Sequence, residues 1–219
     1  MSNLIQSEKI LSYLIDSEQR ILQALNDIKA GKPIVVMDDF DRENEADLIV
    51  AAETLNVETM AQMIRDGSGI VCLTLTEELA DHLQLDPMVP HNSSQFKTAF
   101  TVTIEAATGV TTGVSAKDRT TTIHAAVKHG AGPNDLNRPG HVFPLRGRKG
   151  GVLSRRGHTE ASIDLARLAG LKPAGVLCEL TNFDGTMTSG DQVYTYAQEH
   201  DLTIITIEEL VQFRVKHNI

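Results

Sequence analysis

Short apolar runs alternate along this chain with segments that carry helix signals, and this alternation limits the fold more than any other feature. Strand-like apolar runs lie at 34–37, 48–52, 70–75, 99–105, 174–180 and 202–205. Helix patterns lie between them, at 17–30, 57–66, 115–130, 159–170, 189–199 and from 206 onwards. Such alternation indicates helices packed over a sheet in layers, although strand order and direction cannot be read from it.

Local signals sharpen some of these boundaries. Thr206 with Glu209 has the spacing of a capping box, in which two side chains satisfy the first turn of a helix. Residues 131–157 instead contain three prolines and six glycines. We therefore predict mainly loop there, with a short strand at Val142 and Phe143.

Length and charge exclude several classes of protein. The chain has 219 residues, 41% of them hydrophobic, which fits one large domain over 1–219 better than two small ones. The formal net charge of −9 argues against a protein that binds nucleic acid by neutralising phosphates. No apolar run is long enough to cross a bilayer, and the N-terminal residues lack a basic region followed by an apolar one, so we predict a cytoplasmic protein.

The two cysteines, Cys72 and Cys178, lie inside apolar runs. They are too few for a cysteine zinc site and are predicted to be buried thiols.

An acidic segment at 38–47 follows directly after the apolar run at 34–37 and has six carboxylates in ten positions. If the segment is extended, Glu43, Glu45 and Asp47 project to the same side, because strand side chains alternate. Three like charges on one face repel one another, so a divalent cation or a shared proton would be needed to hold them there. A solvated acidic loop is the alternative.

A second charged cluster occupies residues 155–160. Glycines precede a predicted helix start at Thr159, and the unpaired N–H groups of a helix start attract anions. Arg155 can bind a phosphate with two hydrogen bonds, Thr159 can donate its hydroxyl, and Gly157 would let a ligand approach the backbone. His158, paired with a glutamate, fits magnesium or manganese in a site made otherwise of oxygen atoms. A capped helix with two exposed arginines, Arg155 and Arg156, is the alternative.

Two further side chains are candidates for proton transfer. His141 lies between a glycine and two prolines that would stiffen its segment, which suits a catalytic imidazole and equally an ordinary rigid turn. Glu179 ends an apolar strand, where burial would make it a useful acid or base, and otherwise it is a solvated carboxylate.

Five ordered blocks of sequence resemble the signature blocks of the 3,4-dihydroxy-2-butanone 4-phosphate synthase family of riboflavin biosynthesis. They lie at 38–48, 67–72, 111–116, 138–145 and 155–161, and the similarity continues through 173–180. The resemblance implies a magnesium-dependent lyase that converts D-ribulose 5-phosphate to L-3,4-dihydroxy-2-butanone 4-phosphate and formate. It also implies a homodimer and a three-layer α/β/α fold with a mixed sheet.

The resemblance also implies roles for individual residues. Glu43 and His158 match the metal ligands. His141 and Glu179 match catalytic positions, and Asp38, Glu45 and Cys72 also fall on active-site positions. The positions matched to substrate binding are Arg42, Glu43, Asp47, Arg155, Gly157, His158, Thr159 and Glu179.

The chain departs from the family pattern where relatives often have glycine, at Ala46, Lys97, Ala99 and Arg156. Ala46 would be costly only if its φ were positive, and Arg156 would add a phosphate contact or point to solvent. We expect activity to survive these changes. We also expect a monofunctional protein, because the chain has too few cysteines for the zinc site of a fused GTP cyclohydrolase domain.

Two other functions use similar residues. A different metal-dependent sugar-phosphate isomerase or aldolase would need the same metal and phosphate contacts. A nucleotide- or RNA-binding module of layered architecture would need a broad basic face with stacking aromatic residues. The net charge, the 4% aromatic content and the lack of tryptophan weigh against it.

Overall fold

The computed structural model describes residues 17–39 and 42–219. Residues 1–16 lie outside the described residues, as do Phe40 and Asp41 within the acidic segment. The described strands are β1 Ile34–Met37, β2 Ala46–Ala51, β3 Cys72–Thr76, β4 Ile104–Ala106, β5 Leu136–Gly147, β6 Ala174–Glu179 and β7 Ile204–Thr206. The described α-helices are α1 Ser17–Lys29, α2 Val57–Asp66, α3 Glu77–His82, α4 Ala116–Val127, α5 His158–Leu168, α6 Asp191–Glu199 and α7 Ile207–His217.

The strands form one sheet in the order β4-β5-β3-β6-β2-β1-β7. β1 pairs with β7, and β3 with β5, in parallel, whereas the other neighbours are antiparallel. The sheet is therefore mixed, as predicted.

Apolar side chains cover both faces of this sheet. Along β2, Leu48 and Val50 belong to one core cluster and Ile49 and Ala51 to the other, because successive strand side chains point to opposite faces. The first cluster includes buried residues of α2, α3, α4 and α6, and the second includes those of α1, α5 and α7. The predicted three-layer α/β/α fold is confirmed. None of the described helices is long and apolar enough to cross a bilayer.

The prediction of mainly loop at 131–157 is wrong, because β5 pairs with β3 on one side and β4 on the other. The β4 register jumps from Val142 to Asn137 between Ile104 and Glu105, so the proline- and glycine-rich residues between bulge out of this ladder. Farther along β5, the carbonyl oxygen of Pro144 accepts a hydrogen bond from Thr101 N at 3.0 Å. The proline and glycine residues do produce a bulge, but pairing with distant strands makes Leu136–Gly147 a strand.

Most helix boundaries match the sequence patterns. α2 has the predicted bounds, and the capping box of Thr206 with Glu209 is present at the start of α7. α3 was not predicted, and the strand predicted at 99–105 is reduced to β4.

Candidate active site

A cleft of about 230 Å³ opens where β1 ends, β2 begins and β6 ends. Residues from three separate predicted segments meet there. The cleft is lined by Arg42, Glu43, Glu45, Asp47, Cys72, Phe96, Thr98, Phe100, Leu145, Arg155, His158, Thr159, Leu177 and Glu179.

Strand pairing places two of the carboxylates side by side. In the antiparallel register of β2 with β6, Asp47 lies opposite Glu179. Residues 42–45 are not extended, since Asn44 has a φ of 54° and the strand begins only at Ala46. The condition under which Glu43, Glu45 and Asp47 would share one face of a strand is therefore not met, although all three line the cleft.

Asp38 organises the turn that carries Glu43. Its Oδ2 accepts hydrogen bonds from Arg42 Nη1 at 2.7 Å and from the backbone N of Glu43 at 2.9 Å. Arg42 also donates to both carboxylate oxygens of Glu43, at 2.8 and 2.9 Å. The predicted active-site residue Asp38 therefore supports the wall of the cleft and is not part of its lining.

The acidic side of the cleft is crowded with negative charge. Burial, followed by the charges of Glu179, Glu45 and Glu43, raises the pKa of Asp47 well above its usual value. Burial and the neighbouring Glu43 and Glu179 likewise raise the pKa of Glu45. Among the described residues, Asp38 Oδ1 and Asp47 Oδ1 are buried without a hydrogen-bond partner. A cation would compensate this charge and these oxygens.

His158 has a free lone pair on this side of the cleft. Its Nε2 lies 3.1 Å from the carbonyl oxygen of Val36, which can only accept, so Nε2 carries the proton. Its Nδ1 faces Asp47 Oδ2 at 3.5 Å. Burial lowers the pKa of His158 to about 4, so the ring is neutral near pH 7. A neutral imidazole held by a backbone carbonyl is the usual form of a histidine that ligates a metal.

The donor set therefore fits a divalent cation that prefers oxygen atoms and accepts one nitrogen. Within residues 17–39 and 42–219, however, no three His, Cys, Asp or Glu side chains converge closely enough to hold an ion as they stand. Arg42 is hydrogen-bonded to Glu43 in this arrangement, and Glu43 would exchange this partner for the cation.

The opposite side of the cleft is basic, and its Arg155 has hydrogen-bond partners within the protein. Arg155 and Thr159 line it at the start of α5, where Gly157 is the N-cap residue. Gly157 does not line the cleft, and a Cβ there would lie 2.3 Å from Arg155 Nη1. The end of the Arg155 side chain thus lies over Gly157, and the role of Gly157 in substrate binding stays a prediction.

The segment at 96–100, noted from the sequence only for its departures from the family glycines, lines the cleft between the acidic and basic sides. The centre of the Phe96 ring lies 5.4 Å from the Arg42 guanidinium carbon. The backbone carbonyl oxygen of Phe96 accepts a hydrogen bond from Arg155 Nη2 at 3.4 Å. Lys97 next to it has a φ of 54°, a conformation that favours glycine. Of the departures from the family pattern, Lys97 is thus the strained one, whereas Ala46 lies in ordinary strand conformation.

Arg156 neither faces a phosphate site nor points freely to solvent, the two alternatives considered from the sequence. It donates two hydrogen bonds to Asp39, at 2.7 and 2.9 Å, and forms an ion pair with Glu208. The guanidinium therefore ties the acidic segment to α7.

His141 lies outside the cleft in this chain. It is exposed on the bulged part of β5, and its Nδ1 is 3.0 Å from Glu105 Oε2. No local pattern marked Glu105, which reaches His141 only through strand pairing. Ser68 was also missed as a partner of Glu179, to which its hydroxyl donates at 2.6 Å; its place between Gly67 and Gly69 in a signature block was the available signal.

Both cysteines are buried free thiols, as predicted. Burial raises the pKa of Cys72 well above its usual value, and that of Cys178 to about 11. The Cys72 thiol therefore lines the cleft in its protonated form and is not an activated nucleophile.

A family model for 3,4-dihydroxy-2-butanone 4-phosphate synthase matches residues 22–213. The chain belongs to this family. The synthase of Serratia proteamaculans is 61% identical over 211 residues, which are 96% of this chain and 97% of that protein. The synthase of Pasteurella multocida is 58% identical over 213 residues, which are 97% of this chain and 100% of that protein.

Solved structures of the synthase family agree with the fold. A crystal structure of 3,4-dihydroxy-2-butanone 4-phosphate synthase in complex with two magnesium ions superposes with a TM-score of 0.86 at 41% identity. The match covers 90% of this chain and 96% of that one. The predicted family, fold and lyase activity, the conversion of D-ribulose 5-phosphate to the butanone phosphate in riboflavin biosynthesis, are confirmed. The isomerase, aldolase and RNA-binding alternatives are not favoured.

Proposed function

We propose that the synthase reaction takes place in the cleft between the acidic segment and the start of α5. The observation that supports this most strongly is that an acidic side and a basic side face each other within one cleft. On one side Asp47 Oδ1 is buried without a hydrogen-bond partner beside Glu43, Glu45 and Glu179, while Arg155 and Thr159 line the other side. A substrate with a phosphate at one end and hydroxyl and carbonyl oxygens at the other matches both sides when a cation is present.

Arg155 and Thr159 bind the phosphate of D-ribulose 5-phosphate in this proposal. The phosphate takes no part in the bond changes, so its binding energy orients the reacting carbons. Gly157 contributes by leaving room for the Arg155 side chain.

Glu43 and His158 are the proposed metal ligands, with Mg²⁺ or Mn²⁺ as the ion. The unprotonated Nδ1 of His158 and the carboxylate-rich surroundings suit either of them. When bound, the ion supplies Lewis acidity that stabilises negative charge on the substrate oxygens. The similar solved structure in complex with two magnesium ions supports a divalent metal in this family, though not the identity of the ligands.

Proton transfer is assigned to Glu179, Glu45 and Asp47 together with His141. Ser68 donates to Glu179 Oε2, which keeps the carboxylate oriented as a proton acceptor. The raised pKa values of Asp47 and Glu45 suit groups that hold a proton nearer neutral pH and can give it up. Arg42 and Asp38 hold the turn that carries Glu43, and protonated Cys72 forms part of the wall.

The assignment of His141 favours a homodimer in which each cleft is completed by the second subunit. His141 is exposed, is oriented by Glu105 in the manner of a carboxylate that orients a catalytic imidazole, and lies outside the cleft of its own chain. We further propose one synthase domain over 1–219, supported by the match at 22–213 and by a single sheet, and a cytoplasmic location.

The activity and its metal requirement are tested together by carbon-13 NMR. The purified protein is incubated with labelled D-ribulose 5-phosphate and Mg²⁺, with a chelator as control and Mn²⁺ in a parallel sample. We expect formate derived from C4 together with a four-carbon phosphate, both absent after chelation. Isomerised or cleaved sugar without formate would assign a different metal-dependent reaction to the cleft.

Sharing of the cleft between subunits is tested by mixing two inactive variants, His141→Ala and Glu43→Gln, under conditions that exchange subunits. If His141 acts in the neighbouring cleft, each mixed dimer regains one intact site, and an equal mixture recovers about a quarter of wild-type activity. If each cleft uses its own His141, the mixture remains inactive.

A further inference from the structure

Glu160 lies in the first turn of α5 and is almost completely buried, with 1% of its surface exposed. Its carboxylate turns away from its own helix. Oε1 accepts a hydrogen bond from the backbone N of Arg148 at 3.0 Å, and Oε2 accepts one from Arg155 Nη1 at 2.7 Å. Both oxygens therefore have a donor, one fixed by the backbone and one on a side chain that lines the cleft.

The space around this pair leaves few alternatives for the Arg155 side chain. A Cβ on Gly157 would lie 2.3 Å from Arg155 Nη1 and 3.0 Å from Glu160 Oε2, so the pair packs directly over the glycine. Gly157 has a φ of −136°, which any residue can adopt. A side chain at this position would therefore have to displace the end of the Arg155 side chain.

We propose that Glu160 is a positioning residue, which holds the Arg155 guanidinium in the orientation that binds the substrate phosphate, an inference that rests on the proposed role of Arg155. The carboxylate binds Nη1, while Nη2 lies towards Phe96 at the edge of the cleft. Geometry and net charge make opposite predictions here. Removing a negative charge near the phosphate would by itself strengthen binding, whereas losing the orientation of Arg155 weakens it.

The substitution Glu160→Gln separates these effects with little change in volume. Both partners of the carboxylate are N–H donors. A glutamine side chain has only one oxygen that can accept, because its other terminal atom is an NH₂ nitrogen that donates. One of the two hydrogen bonds must therefore be replaced by a contact between donors. The backbone N of Arg148 cannot move far, so the Arg155 side chain is displaced.

Steady-state kinetics with D-ribulose 5-phosphate and Mg²⁺ give the first readout. We expect Glu160→Gln to raise KM by about tenfold or more, with kcat changed by no more than about twofold. Inorganic phosphate, used as a competitive inhibitor, should bind more weakly by a similar factor. An unchanged or lower KM in the folded variant would overturn the proposal.

Asp164→Asn is the matched control. Asp164 is equally buried one turn further along α5, and it binds the backbone N of Val152 and the guanidinium of Arg214, but not Arg155. Its substitution should lower the melting temperature and leave KM unchanged. If both variants raised KM equally, a general loosening of this region would explain the result and the proposal would fail.

Two more variants separate positioning from general support of the fold. In a background of Arg155→Met, which already lacks the guanidinium, Glu160→Gln should raise KM no further. Gly157→Ala, which displaces Arg155 from the other side, should raise KM as Glu160→Gln does. An additional loss in the double variant would contradict action through Arg155. A wild-type protein that forms no formate would refute the proposed function itself, and is a separate outcome.

Discussion

The acidic and basic sides of the cleft differ in whether their buried carboxylate oxygens have hydrogen-bond partners within the protein. On the acidic side, Asp38 Oδ1 and Asp47 Oδ1 are buried without partners, and the pKa of Asp47 is raised by burial and by its neighbours. On the basic side, the buried carboxylate of Glu160 has a donor on each oxygen. The proposed phosphate site is therefore organised by the protein's own contacts, whereas the proposed metal site needs a cation to complete it.

This difference predicts which step each side affects. A substitution on the acidic side should impair the metal-dependent chemistry, and one on the basic side should impair substrate binding. Three changes test that division, beginning with the one expected to have the largest effect.

Glu43→Gln should reduce kcat by at least about 100-fold, because it removes a proposed ligand and leaves the core untouched. It should also abolish the increase in melting temperature that Mg²⁺ produces in the wild-type protein. Both are measured by an assay for formate and by thermal unfolding with and without Mg²⁺. Glu58→Gln on the exposed surface of α2 is the control, and wild-type turnover in Glu43→Gln would end the assignment of Glu43 to the metal.

Arg155→Lys should raise KM about 10- to 100-fold with little change in kcat, because a lysine cannot bind a phosphate with two parallel hydrogen bonds. Initial rates over a wide range of substrate concentration measure both constants. Arg65→Lys, on the exposed end of α2, serves as the control. A fall in kcat at constant KM would place Arg155 in the chemistry and break the division between the two sides.

The smallest effect concerns pH and the stability of the metal-free protein. His158 has a pKa of about 4 in the folded state, below its usual value of 6.5, so between these values the unfolded chain binds the extra proton. The stability due to the neutral ring is fully present above pH 6.5 and is lost as the pH falls towards 4, on the order of 1.4 kcal/mol per pH unit.

Chemical denaturation in the presence of a chelator, at pH 7.5 and pH 5, measures this contribution. His158→Gln keeps a donor for Val36 O but cannot titrate, so its free energy of unfolding should fall less than that of the wild type over this range. His129→Gln, in the exposed turn that follows α4, should behave as the wild type does. An equal loss in His158→Gln would show that other groups cause the acid sensitivity.

Sequence patterns predicted those features that depend on near neighbours. The capping box of Thr206 with Glu209 is local chemistry, and the apolar alternation along β2 records which face each side chain covers. β5 was predicted only at Val142 and Phe143, because the rest of its stability comes from pairing with β3 and β4, which no property of its own proline-rich residues reveals.

The same distinction applies to the site. Arg155 and Thr159 were predicted from a helix start, which is a local feature, and both line the cleft. The Glu105 carboxylate beside His141 and the Ser68 hydroxyl beside Glu179 come from distant segments that strand pairing brings together. The position of the Arg155 side chain over Gly157 could not be known before the fold, because it depends on the contact with Glu160.

The register that sets Asp47 opposite Glu179 also determines when the cleft can form during synthesis. β2 is made early, but its partner β6 and the partner of β1, β7, lie near the other end of the chain. The side of the cleft formed by Glu179 is therefore completed only after the ribosome has released most of the chain. Pairing of such distant strands is slow, so a nascent chain truncated before β6 has exposed apolar strands and no catalytic site.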